Sequence, residues 1–291
     1  MPASSVVIVG SANVDQVFRV VAIPAPGETV LSTGFSTAAG GKGQNQAVAA
    51  ARAGASTGLI AALGRDAFGD QLRAGLTADG IDAALVRRVD APTGTALIAV
   101  DDNAENTIIV EAGANARLVD LTDADRAAIA AASHLLLQLE IPLETVLHAA
   151  QVAKAASTTV VLNAAPIRDL PAELLAAVDV LVVNEHEAAV LARGGDVAKL
   201  APIVIVTLGA AGAVAHVSGA GDVRVAAPKV DAVDSTGAGD TFCGALVAAL
   251  ADGFPLSRAL TFAVTAASLS VQRPGAVPSI PTRSEIDAQL G

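Results

Sequence analysis

The chain has 291 residues, 53% of them hydrophobic, and a formal net charge of -11; disorder is excluded, because this much apolar surface offsets the entropy of ordering when it is buried. Trp and Tyr are absent and Phe occurs six times, so the stacking platforms and clustered cations that bind nucleic acid are missing. The single cysteine, Cys243, permits no internal disulfide.

In chain order, Val6 to Val9 reads as a buried strand. It follows Met1 without a basic region or cleavage site, and the expectation is a cytosolic protein. Asn13 and Asp15 come just after this strand and its Gly10-Ser11 turn. The segment from Gln16 to Ala38 reads as antiparallel strands, with Pro26-Gly27 suited to a type II turn. A helix is predicted over Gly43 to Ala53, a strand over Gly58 to Leu63 and a helix over Ala67 to Asp79. Thr95 to Ala112 reads as a second antiparallel pair turning at Asp101-Asp102-Asn103. Its runs Leu97 to Val100 and Thr107 to Val110 are apolar on both faces. They suit either a small lid, with one face over a substrate and the other against a second subunit, or an extension of the main sheet.

Further on, strands are predicted over His134 to Gln138, Thr159 to Asn163, Val180 to Val183 and Ile203 to Leu208. Helices are predicted over Thr122 to Ala132, Leu143 to Ala156 and Glu185 to Arg193. Three more close the chain, at Gly237 to Ala251, Leu256 to Val271 and Arg283 to Leu290. Alternating buried strands and helices indicate an α/β fold with a mainly parallel sheet. No uninterrupted apolar run reaches membrane-spanning length; Asp179 breaks the stretch from Leu174 to Val183. Length alone leaves one domain or two.

Two glycine-rich stretches carry the chemistry. Gly40-Gly41-Lys42-Gly43-Gln44-Asn45 opens a helix, but it is not a Walker A loop, since no Gly stands five residues before Gly41 and Gly43 replaces the Ser or Thr after Lys42. Its close-approach backbone, the Lys42 cation and the Asn45 amide suit a polyhydroxyl ligand, although alone such a stretch is more often a turn before a helix. Asp234-Ser235-Thr236-Gly237-Ala238-Gly239-Asp240 also opens a helix; Phe242 occupies the third glycine position of a dinucleotide fingerprint. A glycine-rich helix start presents free N–H groups and a positive dipole end to phosphoryl charge. Asp240 in that first turn is either a dipole-compensating acid or a base for a hydroxyl. Cys243 reads as a small buried side chain, not a nucleophile. Polar groups also follow several strands at one sheet edge: Asn13 and Asp15, Glu140, Asn184 and Thr207-Leu208-Gly209. Ligands of open α/β sheets lie there.

Together with Gly64-Arg65-Asp66, Glu111 to Asn115, Gln138-Leu139-Glu140 and Asn184-Glu185, these motifs resemble the PfkB carbohydrate kinase family over nearly the whole chain. The resemblance implies a three-layer αβα fold with a mainly parallel central sheet. It also implies a single kinase domain over residues 1–291, with a small β-sheet lid from about 16–38 and 95–112 that often pairs lid to lid in a homodimer. The implied reaction is ATP-dependent phosphorylation of D-ribose at O5, giving ribose 5-phosphate and ADP. By position, Asn13, Asp15, Gly41, Lys42, Asn45 and Glu140 correspond to the sugar-binding set, Asp240 to the catalytic base, and Gly237, Ala238 and Gly239 to the anion hole. Asn184 and Glu187 correspond to the groups that position magnesium and phosphates, and Thr207, Gly209 and Gly212 to the nucleotide loop. A monovalent cation, K+, would be held by the Asp234 and Ser279 side chains and the carbonyls of Thr236, Ser270, Arg273 and Gly275. Val264 stands where some relatives carry His. Other readings are a kinase of the same family acting on 2-deoxyribose, a nucleoside, fructose or a keto-deoxy sugar acid, a non-catalytic sugar-binding protein, and, more distantly, an NAD-dependent oxidoreductase.

Overall fold

In the computed structural model the described residues are 5–103 and 105–291; Ala104, inside the second lid segment, lies outside them. Nine strands form the central sheet. In spatial order they are β13 (Gly221–Val225), β12 (Ala213–Val217), β11 (Ile203–Thr207), β10 (Val180–Asn184), β9 (Thr159–Asn163), β8 (His134–Leu137), β1 (Ser5–Val9), β4 (Ser56–Gly64) and β5 (Val86–Val89). From β11 to β5 all neighbours are parallel, while β12 and β13 turn back antiparallel. Val6 to Val9 and Leu135 to Leu137 are almost wholly buried, as expected for parallel strands covered on both faces.

On one face lie α1 (Lys42–Arg52), α2 (Ala67–Ala78), α7 (Ala238–Ala251), α8 (Leu256–Ser270), the short α9 (Ala276–Ser279) and α10 (Arg283–Leu290). The opposite face carries α3 (Asp123–Ala131), α4 (Leu143–Ala155), α5 (Ala172–Ala177) and α6 (Glu185–Ala192). These make the three layers that the resemblance implies. The predicted helices and strands are all present within a residue or two. Absent from the sequence reading are β5, α5, α9 and the β12–β13 hairpin. The outer strand of this edge hairpin, Gly-Asp-Val-Arg-Val, is largely solvent-facing, and the buried run of its inner strand is only Ala213 to Ala215, too short to mark a strand by itself.

A second sheet stands apart from the first, in the order β3 (Gly34–Gly40), β2 (Asn13–Arg19), β6 (Gly94–Val100), β7 (Asn106–Glu111). Two antiparallel hairpins are joined in it by a parallel β2–β6 ladder, so these segments do not extend the main sheet. The Pro26-Gly27 turn closes with Glu28 N–H donating to the Ala25 carbonyl at 3.0 Å, Gly27 having φ 91°. Asn13 and Asp15, expected in a loop beyond β1, are instead the first and third residues of β2, opposite Gly40 and Ala38. The strand period of two then puts both side chains on one face. Among the described residues no helix is long and apolar enough to cross a membrane.

Candidate active site

Because β1, β8, β9, β10 and β11 run parallel, their carboxyl ends meet at one edge, and each delivers a polar residue there: Ser11, Glu140, Asn163, Asn184 and Thr207. The foot of the second sheet closes this edge at β1. Gly41, at φ 85°, opens α1, and a Cβ there would stand 2.8 Å from the Asn13 backbone nitrogen. A Cβ at Gly43 would stand 2.6 Å from the Gly10 backbone. The glycines therefore let α1 begin directly against the end of β1.

Glu140 ties this corner together: one carboxylate oxygen accepts from Ser11 Oγ at 2.6 Å and from the Lys42 backbone N–H at 2.9 Å. Asn13 is 3% exposed, and its Oδ1 accepts from Asn115 Nδ2 at 2.7 Å. Burial, then the nearby Glu140 and Asp240 carboxylates, push the Asp15 carboxyl up to about 7. Burial works to lower the Lys42 ammonium, but Asp240, Glu140 and Glu187 outweigh it and hold Lys42 above its ordinary value.

Asp240 sits in the first turn of α7, 8% exposed. Its Oδ2 accepts from Asn45 Nδ2 at 3.0 Å and its Oδ1 from Gln46 Nε2 at 2.9 Å. Burial raises its carboxyl, with Lys42 and the two amide donors opposing. Cys243, one turn on, is 1% exposed, and burial and Asp240 raise its thiol well above the ordinary value; its surroundings suit a packed side chain, not a thiolate nucleophile.

Two adjoining cavities meet beside Asp240. The polar one, about 150 Å³, is lined by Lys42, Asn163, Asn184, Glu187, Asp240 and Cys243 among others. The larger, about 440 Å³, is mainly apolar and runs between Thr207, Gly209, Gly212, Pro228, Val264 and Ala267. Thr207 and Gly239 line both. Gly237 caps α7 in the left-handed region, at φ 73°. The N–H groups of Gly237, Gly239 and Asp240 have no acceptor among the described residues, so the start of α7 presents free donors at the junction of the cavities. Gly212 has φ 100°, and a Cβ there would lie 2.0 Å from the Val225 carbonyl oxygen; only glycine lets the loop after β11 pass under the β13 end.

The pfkB family carbohydrate kinase profile matches residues 3–283 of this sequence. The chain belongs to the pfkB family of carbohydrate kinases. It is 40% identical to a ribokinase of Haemophilus influenzae, covering 96% of this chain and 95% of that one. It is 38% identical to a ribokinase of Schizosaccharomyces pombe, covering 98% of each. The structure of Arabidopsis thaliana ribokinase complexed with ribose and ATP superposes with a TM-score of 0.93 at 34% identity, covering 98% of both chains.

A kinase that uses ATP implies a divalent metal such as Mg2+. The polar cavity of this carbohydrate kinase fits such an ion: Glu187 has one oxygen engaged by the Asn184 N–H at 2.8 Å, while Asn184 Oδ1 accepts from the Glu187 N–H at 2.8 Å. This pair is also the capping box of α6, and the second Glu187 oxygen remains for a hard cation or its water. The six residues of the expected monovalent site come from three segments tied together. Asp234 accepts from Thr236 N–H at 2.9 Å and Gly275 N–H at 2.7 Å, and the Val271 carbonyl accepts from Val233 and Asp234 at 2.7 and 3.1 Å. Ser279, 1% exposed, donates to the Ala276 carbonyl at 2.7 Å and keeps its oxygen lone pairs. Burial would raise the Asp234 carboxyl, but the Thr236 and Gly275 donors hold it below the ordinary range. Ser270 and Arg273 flank this loop; the Ser270 carbonyl accepts from Arg273 N–H at 3.1 Å.

Four buried residues of the site escaped sequence reasoning as contributors: Ser11, Gln46, Asn115 and Asn163. Ser11 and Asn115 lie inside sequence motifs and Gln46 directly follows one, but each acts on a residue remote in sequence.

Proposed function

We propose that this carbohydrate kinase transfers the γ-phosphoryl group of ATP to the O5 hydroxyl of D-ribose. The observation that carries the reading is the position of Asp240: its buried carboxylate is held by two amides between the sugar-side residues and the free N–H groups that open α7. In this reading Asn13, Asp15, Gly41, Lys42, Asn45 and Glu140 hold the sugar. Asp240 takes the O5 proton as O5 attacks the γ-phosphorus in line and the bond to the bridging oxygen of ADP breaks. The free N–H groups of Gly237 and Gly239 face the charge that develops on the transferring group, fixed in advance by the helix start; the Ala238 N–H, expected to join them, donates instead to the Ser235 carbonyl at 3.2 Å, and Ala238 shapes the turn between the two. Thr207, Gly209 and Gly212 border the adenosine in the larger, mainly apolar cavity. Asn184 and Glu187 would hold the magnesium, which neutralises phosphate charge when bound.

The whole of residues 1–291 is read as one kinase domain, with the second sheet as its lid. The relative with ribose and ATP bound supports both substrates. The monovalent ion is K+, its ligands the six residues from Asp234 to Ser279. Phe35, Leu97, Ile108, Ile109 and Val110 on the lid are each 42% to 64% exposed, an apolar surface suited to pairing with a second copy. Pentoses, 2-deoxyribose, fructose, nucleosides and a keto-deoxy sugar acid, each tested with ATP in a coupled ADP assay, check the assignment. D-ribose is expected to give the highest kcat/KM; a higher value for any other acceptor replaces the substrate, and no turnover with any sugar replaces the activity.

A further inference from the structure

The sheet reaches Asp240 through a line of three buried amides. Asn163, the last residue of β9, donates from Nδ2 to the Val182 carbonyl at 3.3 Å. A carbonyl can only accept, which fixes the Asn163 amide and turns its Oδ1 toward Gln46. Gln46 Nε2 donates to that oxygen at 3.1 Å and to Asp240 Oδ1 at 2.9 Å, and Gln46 Oε1 accepts from Gln138 Nε2 at 2.6 Å. Gln46 and Gln138 are fully buried. Both Nε2 hydrogens of Gln46 are thus committed, one to the sheet and one to the carboxylate. The helix carrying Gln46 is pressed on the helix carrying Asp240: a Cβ at Gly244 would stand 2.5 Å from both the Gln46 carbonyl oxygen and the Ala49 Cβ.

We propose that Gln46 is a positioning residue for phosphoryl transfer, holding Asp240 against the central sheet through Asn163 and Gln138 with one carboxylate oxygen aimed at the acceptor hydroxyl. The inference rests on the reading of Asp240 as the base. A buried carboxylate on a helix start has rotational freedom about its own side chain, and Asn45 alone fixes only one of its oxygens. Gln46 supplies the second point of attachment, so the reacting oxygen is fixed before the sugar arrives. The charged and titratable groups around Asp240 are Lys42 from α1, Glu140 from the loop after β8, Asp15 from β2, Glu187 from α6 and Cys243 from α7 itself.

The test is steady-state kinetics of Gln46→Met and Gln46→Glu, each also combined with Asp240→Asn, with ribose affinity, ADP affinity and thermal melting measured alongside. Gln46→Met is expected to lower kcat by about tenfold to a hundredfold, the range for a misplaced reacting group, with ribose affinity changed far less. In the Asp240→Asn background the same substitution should change kcat by less than about twofold, since the residue it positions is gone. Gln46→Glu keeps the shape and the Gln138 bond; while its carboxyl holds a proton it still donates to Asp240 Oδ1, and once ionised it has no donor and repels that oxygen. Its activity relative to the parent should therefore fall as pH rises, which a merely structural residue does not produce. Parental kcat in Gln46→Met, or equal losses with and without Asp240, overturns the proposal, as does a pH-independent defect in Gln46→Glu should the Met variant fail to fold. Parental kcat in Asp240→Asn alone overturns the reading of Asp240 itself, a distinguishable result.

Discussion

Asn115 Nδ2 donates to Asn13 Oδ1 at 2.7 Å, and this one bond decides which end of the Asn13 amide is left open to a ligand. The Ala12 backbone N–H, a donor only, points at Asn115 Oδ1 at 2.9 Å, so Asn115 has its nitrogen left for Asn13, and Asn13 has its own nitrogen left for a ligand. Gly94 makes room for the pair, since a Cβ there would lie 2.3 Å from both atoms of the bond. Asn115→Asp would face Asn13 with an acceptor and reverse its amide. Calorimetric ribose affinity should fall about tenfold to a hundredfold, the cost of a mismatched buried hydrogen bond, while ADP affinity stays within about twofold of the parent. Parental ribose affinity in this variant would remove Asn13 from the sugar site.

Asp240→Asn keeps the size of the side chain and removes its basicity. As the base, its loss should lower kcat by about a hundredfold or more, with ribose affinity far less affected because Asn13, Asp15, Lys42 and Asn45 remain. An acid that only compensated the α7 dipole would instead reveal itself in the melting temperature, with kcat near that of the parent.

As a sugar ligand, Asp15 should link ribose binding to pH. Its carboxyl is raised from 3.8 to about 7 in the folded chain, so between these values the folded state keeps a proton that the unfolded state has lost. Its contribution to stability is therefore complete below about pH 4 and is lost as pH rises through 7. Asp15→Asn should accordingly stabilise the sugar-free protein at pH 8 and confer no such gain at pH 4. Ribose, donating a hydroxyl to the ionised carboxylate, should bind more tightly as pH rises through 7 and release a proton on binding at pH 6. Titration calorimetry in buffers of differing ionisation enthalpy measures that proton, and its absence would mean that Asp15 does not meet the sugar as an anion.

Potassium should activate. The Asp234 loop, α7 and the residues before α9 meet where the glycines that open α7 begin, and an oxygen-bound cation there would hold the loop that carries them. At fixed magnesium, kcat/KM should be higher in potassium chloride than in tetramethylammonium chloride at the same ionic strength. Equal rates in the two salts would take the six residues from Asp234 to Ser279 out of any cation site.

The fold was legible wherever burial writes itself into composition. The Val-Val-Ile-Val run of β1 and the Ala-rich helices could be located because strands and helices covered on both sides are apolar almost throughout. The β12–β13 hairpin was not, because β13 faces solvent and the buried run of β12 is only three residues long. In the lid, the two hairpins followed from turn residues and apolar runs, but the parallel β2–β6 ladder joins segments 81 residues apart at the Asn13–Gly94 pair, which no local pattern records. At the site, Asp240 and the glycine stretches stood out because free backbone donors and close approach demand particular residues at particular spacings. Gln46 did not: a glutamine in a helix is unremarkable until its partners, 92, 117 and 194 residues away, are brought to it.

The Phe18–Phe35 pair of the lid, ring centroids 4.9 Å apart, lies in a chain without Trp or Tyr. The protein is consequently dark when excited at the wavelengths that light up most enzymes. Phe35→Trp would install a lone fluorophore, 59% exposed at the present position, on the sheet that borders the sugar site. Its emission would shift to shorter wavelength if a second copy covers that face, and would report separately whether ribose moves the sheet, giving dilution and ribose titrations a signal with no background to subtract.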